Sequence, residues 1–448
     1  MTTVSECPGQ LSLYPFRTSS YTPLTKPDAV AFALEHNFGI KMASNAIEMA
    51  ENNASIFNSG YLPSLTANAG ADYSNANNNF EYPGQTLQNG DPRPDAEVKN
   101  AEARRYNSGL NLGYTLFDGM GRHYNYKRLK EQYKLSELQA RETIENTMLQ
   151  LFSVYYEIAR LEENNNVLNQ ALEISKQRVQ RAEYAFEYGQ NSKLDILNAQ
   201  VDLTNDSISI LNTRQLLKNA KRDLNVVMNQ DLNSIFQVDT VVNFMSRLEL
   251  DAYVNKALEN NVEMQRAERN LAINDYDIKV SKSGYLPTVD LTGSYGWNYN
   301  QSAPSAFFGG TNAKSNSFGL NASLRWNLFD GGGTSVRVKN AKIAYENQEL
   351  LQKQIASQVS ANVQNALNSY ENRLHIFEIQ EQNVLTNQNN FERSKEQFQL
   401  GRISSIEFRQ AQINLLNAQT NKNLAKYDAK LAELQLLQLT GQLLNVDF

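Results

Sequence analysis

The sequence predicts an α+β chain in which a few β-strands are continued by helices of unusual length, the whole pattern being written twice. Three observations carry that expectation. None of the ten prolines lies between Pro94 and Pro287 or after Pro304, and breaker-free spans of that size point to long helices. Apolar residues alternate with polar ones in four separate stretches, which is the period of a strand. The tetrapeptide Leu116-Phe117-Asp118-Gly119 returns 212 positions on as Leu328-Phe329-Asp330-Gly331. Each copy stands where the period switches from strand to helix.

Residues 1–26 are polar, carry several prolines and read as an extended N-terminal segment. The leading helices of the first repeat take 27–63, with Pro27 at N1, Asp28 in the first turn and a break near Gly39. They stop at Gly60-Tyr61-Leu62-Pro63, where Gly ends a helix and Pro forbids its return. Strands 1 and 2 take 64–117. Leu65, Ala67, Ala69, Ala71 and Tyr73 oppose Thr66, Asn68, Gly70, Asp72 and Ser74; a polar loop of about 30 residues follows, long enough to be an exposed surface loop. Leu110, Leu112, Tyr114 and Leu116 then alternate with Gly109, Asn111, Gly113 and Thr115. Asp118 suits an N-cap, its carboxylate accepting first-turn amides at the positive helix end.

The first long hairpin takes 118–230. One helix of about 68 residues covers 120–187, or roughly 100 Å at about 1.5 Å each. It turns at Gly189 and returns from a cap at Ser192. Residues 231–250 form a mixed equatorial linker, with a short strand expected at Ile235–Val238. The second repeat follows: leading helices in 251–287, ending at Gly284-Tyr285-Leu286-Pro287; strands 3 and 4 in 288–329; a second hairpin in 330–440, turning at Gly401; and a tail in 441–448. Strand 3 sets Val289, Leu291, Tyr295, Trp297 and Tyr299 against Asp290, Thr292, Ser294, Asn298 and Asn300. After a loop of about 17 residues, strand 4 sets Phe318, Leu320, Ala322, Leu324, Trp326 and Leu328 against Gly319, Asn321, Ser323, Arg325 and Asn327.

Composition removes several classes of function. A formal charge of −6 argues against a nucleic-acid binder, which needs a basic stripe. No run of about 20 apolar residues exists and the mean hydropathy is −0.54, so no transmembrane helix is expected, while a transmembrane barrel stays open. His36, His123 and His375 share no ligand spacing, and Gly331-Gly332-Gly333 lacks the Lys-Ser/Thr of a phosphate loop and reads as a hinge. No catalytic, cofactor-binding or metal-ligating residues are therefore expected. Cys7 has no partner for a disulfide, and Val4-Ser5-Glu6 before it matches a lipid-attachment signal poorly. Met1–Thr25 lacks the basic start and apolar core of a secretory signal.

Two readings of the strands compete. A sheet with one apolar face is ordinarily half-buried on a soluble core. Against that, each strand reads as about 10–12 residues, the length a tilted membrane strand needs. Tyr73, Trp297, Tyr299 and Trp326 gather toward the strand ends, and no ordinary amphipathic helix is left as a cover. A sheet in lipid must close, and four strands cannot. Two copies give eight strands with a filled interior, three give twelve with a lumen. Long hairpins with polar faces suit the wall of a wet cylinder, which favours three.

At this point the sequence resembles the TolC-like outer-membrane efflux and secretion channels over nearly its whole length after residue 27. The duplicated Gly-Tyr-Leu-Pro and Leu-Phe-Asp-Gly motifs carry the likeness, with the hairpin tips Tyr188–Gln200 and Leu400–Gln412. The resemblance implies a homotrimer with a twelve-stranded barrel in outer-membrane lipid and a helical periplasmic tunnel. It implies a periplasmic adaptor (membrane fusion) protein and an inner-membrane pump as partners. The docking tips would be Gly189, Gln190, Asn191, Ser192, Gly401, Arg402, Ile403 and Ser404. Acidic residues after the second tip ring the closed entrance in some members: Glu407 matches the first, while Gln410 replaces the second, which weakens a cation-binding ring. Asp195 stands in the same place after the first tip. Asp195 and Glu407 also sit in the first turn of a helix, where a carboxylate adds about 0.3–1 kcal/mol. The corners are Asp118, Gly119, Asp330 and Gly331. A type I protein-secretion duct and a non-conducting structural trimer are the alternative functions.

Overall fold

The computed structural model describes residues 22–190, 192–304 and 309–446, so Cys7, Asn191 and most of the N-terminal segment lie outside the described residues. In chain order these form β1 (Thr22–Leu24), α1 (Lys26–His36), α2 (Phe38–Asn53), β2 (Ser64–Phe80), β3 (Ala96–Asp118), α3 (Gly121–Glu187) and α4 (Lys193–Met228). Then come β4 (Phe236–Val238), α5 (Arg247–Asn255), α6 (Ala257–Asn260), α7 (Val262–Ser283), β5 (Thr288–Ser302), β6 (Thr311–Arg325), α8 (Gly333–Gln399) and α9 (Ser405–Leu439). The chain divides into two compact units, one of Met1–Ser44, Ala140–Met264 and Ala356–Phe448, the other of Asn45–Gln139 and Gln265–Ile355.

The second of these units holds an antiparallel sheet in the order β2-β3-β5-β6. Register places Leu65, Leu112, Gly293 and Leu320 in one row, and Ala67, Leu110, Tyr295 and Phe318 in the next. The opposite face carries Thr66, Asn111, Ser294 and Gly319, and Asn111 donates to Asn68 at 2.9 Å. One face is apolar and the other polar, as alternation requires.

The strands are longer than their alternation suggests: 17, 23, 15 and 15 residues, against an expected 10–12. The loop after β2 is correspondingly short, since Asn75–Phe80 and Ala96–Glu102 pair with each other rather than hanging free. Backbone ladders need no apolar side chains, so hydrophobic alternation is silent there. A bulge between Thr115 and Phe117 sets Phe117, not Leu116, opposite Val289. β6 spans Thr311–Arg325, ending before Trp326 and Leu328 because its partner β5 begins at Thr288, opposite Arg325. The indole Nε1 of Trp326 donates instead to the Tyr285 carbonyl at 3.1 Å.

The first corner shows why Asp ends the strand. Asp118 is the last residue of β3, and its carboxylate accepts the Arg122 amide at 2.8 Å. Gly119 and Met120 both take the left-handed conformation, with φ of 68°. At the second corner Asp330 accepts the amides of Gly332 (3.1 Å) and Thr334 (2.8 Å), and Gly331 and Gly332 hold φ of 68° and 87°. The Thr334 hydroxyl, which donates to the same carboxylate at 2.6 Å, and after it the Thr334 amide hold the Asp330 carboxyl below the usual carboxylate range. The glycine run thus makes a bend of defined geometry, not a loose hinge.

The other unit is helical. Its core centres on Phe152, Tyr155, Tyr156, Ile158, Leu224, Leu434 and Leu437, all fully or almost fully buried. Three residues of the extended N-terminal segment form β1, which pairs in parallel with β4. The Tyr155 hydroxyl fixes that pair, donating to the Leu24 carbonyl and accepting from the Asp239 amide, each at 2.9 Å. Thr25 caps α1 by accepting the Asp28 amide, so Pro27 is the second helical residue and not the first. The break before α2 falls at Asn37, not Gly39. Its side-chain oxygen accepts from the amides of Gly39 and Ile40, while its amide donates to the Val227 carbonyl at 2.9 Å. Asn261 does the same for Glu263, Met264 and the Leu439 carbonyl.

Candidate functional site: the hairpin tips

At each tip a glycine closes the outgoing helix. Gly189 and Gly401 both have φ of 71°, a conformation that costs other residues about 1–2 kcal/mol. The amides of Gly189 and Gln190 reach the carbonyls of Phe186 and Ala185, at 2.9 and 2.7 Å. Those of Gly401 and Arg402 reach Phe398 and Gln397, at 3.1 and 2.9 Å. These paired bonds are the Schellman closure of a helix end. Nothing lies within 4 Å of where a Cβ would stand on either glycine.

The return helices start on acidic caps. Asp195 accepts the Ser192 amide at 3.0 Å and its hydroxyl at 2.9 Å. Glu407 accepts the Ser404 amide at 2.8 Å, and the Ser404 hydroxyl accepts the Glu407 amide at 3.2 Å. These bonds from Ser404, its backbone amide first, hold the exposed Glu407 carboxyl below its ordinary value. Gln410 instead bonds Asn414 at 2.8 Å along its own helix. Ile403 is half-buried, packing onto the cluster of Phe391, Phe408 and Leu415, whereas Gly189, Gln190, Ser192, Gly401, Arg402 and Ser404 are exposed. Beside them stand Tyr188, Leu194, Leu400 and Ile406, apolar side chains 62–81 % exposed. The sequence places these four within the tip segments Tyr188–Gln200 and Leu400–Gln412 but does not single them out among the docking residues.

A group just behind the tips was missed entirely. Arg409 on α9 binds both oxygens of Asp206 on α4, at 2.8 and 2.7 Å. The Ser175 hydroxyl of α3 donates to the same carboxylate at 2.6 Å. Arg178 on α3 bonds Asp202 at 3.0 Å and the Ser405 hydroxyl at 3.0 Å. The side chains of Arg178, Asp206 and Arg409 are only 4, 7 and 12 % exposed. Burial lowers the Arg178 pKa from its ordinary value, with Asp202 opposing the change. Above this cluster Arg181 donates to the carbonyls of Phe398 and Gln399, both at 3.0 Å, at the end of α8. The two hairpins of one chain are thereby tied together at their tips. Among the described residues no group of acidic, His or Cys side chains is placed to hold a metal.

The outer membrane efflux protein model matches residues 30–230 and 253–442. The chain belongs to the outer membrane efflux protein family. It is 23 % identical to the outer membrane protein TolC of Vibrio cholerae over 354 residues, covering 77 % of this chain and 79 % of that one. It is 21 % identical over 335 residues to the protease secretion protein PrtF of Dickeya chrysanthemi, covering 72 and 67 % of the two chains. The crystal structure of VceC, an outer membrane protein of V. cholerae, superposes with a TM-score of 0.72 at 16 % identity, over 93 % of this chain and 95 % of that one. This family member is an outer-membrane export duct of a Gram-negative bacterium, with its helical part in the periplasm. No helix among the described residues is long and apolar enough to cross a membrane.

Proposed function

We propose that this efflux-family chain works as a homotrimer, its sheets joined into a twelve-stranded barrel over a helical periplasmic tunnel. The observation that carries the reading is the sheet's two open edges. Among the described residues β2 and β6 each lack a second neighbour, yet the sheet has one apolar face. In lipid such edges must pair. Because the four strands alternate in direction, β6 of one copy meets β2 of the next antiparallel, and the ring closes. Three copies leave a lumen lined by the polar face, whereas two give an interior filled by side chains. Detergent-extracted protein should show a protein mass about three times 50.6 kDa. A monodisperse monomer retaining its full strand content sinks the barrel.

The duct is passive and coupled through a periplasmic adaptor to an inner-membrane transporter. The exposed apolar residues at the tips support that joint, since apolar patches of this kind mark partner surfaces. Glu407 and Asp195, with Gln410, stand as the candidate entrance ring. The Arg178–Asp202–Arg409–Asp206 cluster behind them holds the two tips in register and sets how far the entrance opens. The likeness to PrtF supports a second reading, a duct for secreted protein, and co-purification of the inner-membrane transporter decides between the two. A non-conducting trimer is distinguished by the lack of stepwise current in a planar bilayer.

A further inference from the structure

The apolar face of the sheet ends, away from the corners, in aromatic rings and two cations. Tyr106, Tyr299 and Lys314 share one row of the register, and Tyr73 and Arg104 share the next row out. Trp297 and Tyr299 stack at 6.4 Å, and Tyr106 stacks on Tyr299 at 6.1 Å. The cations lean on this belt: the Lys314 ammonium lies 5.6 Å from the centre of Tyr299, and the Arg104 guanidinium 5.9 Å from that of Tyr73. From the Val289 row to the Trp297 row is about 27 Å of strand at about 3.4 Å per residue. On a strand tilted by about 35–45° this spans about 19–22 Å of the membrane normal, most of the roughly 25 Å apolar band of such proteins. Arg104 and Lys314 therefore stand just beyond the hydrocarbon, on the lipid side, at the end opposite the periplasmic helices.

A hollow of about 390 Å³ opens at the Arg104 row, lined by Arg104, Gln301, Asn312 and Glu102 among others. Glu102 lies 3.6 Å from Arg104, but both side chains are about half exposed, at 45 and 50 %. The guanidinium keeps donors to spare, since it has five. With strands about 4.8 Å apart, Arg104 and Lys314 are about 12 Å from each other across β5. We infer that Arg104 and Lys314, with the hollow beside Arg104, form a site for the phosphate-bearing headgroup of an outer-leaflet lipid. Arginine meets phosphate with paired N–H donors and lysine meets it as a point charge, and the aromatic belt below receives the first part of the acyl chains. The inference rests on the reading of the apolar face as the lipid face.

The test is competitive lipid retention by the purified full-length protein, reconstituted in nanodiscs of mixed phosphorylated lipid A and phosphatidylcholine and read by mass spectrometry. Wild type should enrich the phosphorylated lipid. Arg104→Gln/Lys314→Gln should lose about 30-fold of that preference, the amount expected for two cations near an anionic surface. Arg105→Gln, one residue along and on the polar face, should change conductance and leave lipid preference intact. If the double variant retains wild-type preference while Arg105→Gln also does, the site is refuted and the lipid-face assignment stands. If Arg105→Gln alone loses it, the faces are reversed and both fail. Loss of the enrichment on adding inorganic phosphate at millimolar concentration makes this a free-phosphate site and overturns the lipid assignment.

Discussion

Replacing Asp206 with Ala removes the one carboxylate that Arg409 grips with both nitrogens, at 2.8 and 2.7 Å. What remains near Arg409 is Asp202, at 3.6 Å from its Nε, the Gln412 side-chain oxygen, which accepts from it at 3.1 Å, and the Ser175 hydroxyl, which loses its carboxylate acceptor. Arg409 is 12 % exposed and Arg178 4 %, so neither cation has much water to turn to. Removing one partner of a buried pair costs about 3–5 kcal/mol, because the remaining charge is left uncompensated. Here the loss is local, since α3, α4 and α9 stay packed along the rest of their length. Amide exchange in 175–206 and 405–412 should therefore quicken by about 10²- to 5 × 10³-fold, with the strands unchanged. Single-channel recording should show a more open entrance. The double variant Asp206→Leu/Arg409→Met removes both charges at similar volume and should restore most of the protection, as apolar replacement of a buried pair is often neutral. Wild-type exchange at the tips in Asp206→Ala, or a double variant as loose as the single one, refutes the argument.

Other outcomes follow from the same geometry. Leu112→Arg should block assembly, since Arg near the middle of the lipid face costs about 2–4 kcal/mol; Asn111→Arg should assemble with altered current, and equal behaviour in gel-shift and conductance assays means the faces are misassigned. Gly401→Trp meets open space but a positive φ, so it should cost about 1–2 kcal/mol, leave the barrel inserted, and abolish export in cells; export at the normal rate shows that the tip is not the coupling surface. Glu407→Gln should weaken block by multivalent cations from the periplasmic side, and unchanged block leaves Glu407 as a helix cap alone. The Glu407 carboxyl is held below its ordinary 4.5, so the native state binds that proton less readily than the unfolded chain. Its contribution is complete above about pH 4.5 and is lost as pH falls through the lower native value, which amide exchange at Ser404 across an acid series checks.

Local chemistry made the corners and tips legible. Asp118, Asp330, Gly189, Gly401, Ser192 and Ser404 act on backbone groups within a few residues of themselves, so their spacing alone announces what they do. The middle of each strand was equally readable, because one face is apolar. Beyond that band, residues such as Asn75–Phe80 pair through their backbones with water-tolerant side chains, and no period marks them. Trp326 and Leu328 misled for the opposite reason, continuing the alternation after the partner strand had run out. The cluster of Arg178, Asp206 and Arg409 joins three helices whose residues are more than 200 positions apart at the extremes. Charges on long helices ordinarily face water, and only packing reveals that these do not. Asn37 and Asn261 were hidden likewise, since each spans from a helix start to a distant carbonyl.

The two corners reach one bend from opposite sides of the folding equilibrium. Met120 sits at φ 68° and Gly332 at 87° in equivalent places. The methionine raises the energy of the native state, by about 1–3 kcal/mol for a side chain in that region. The glycine leaves the native state relaxed and instead enlarges the unfolded ensemble, at about 0.4–1 kcal/mol relative to a residue with a Cβ. Exchanging the two residues between halves keeps one of each term and should therefore leave stability nearly unchanged.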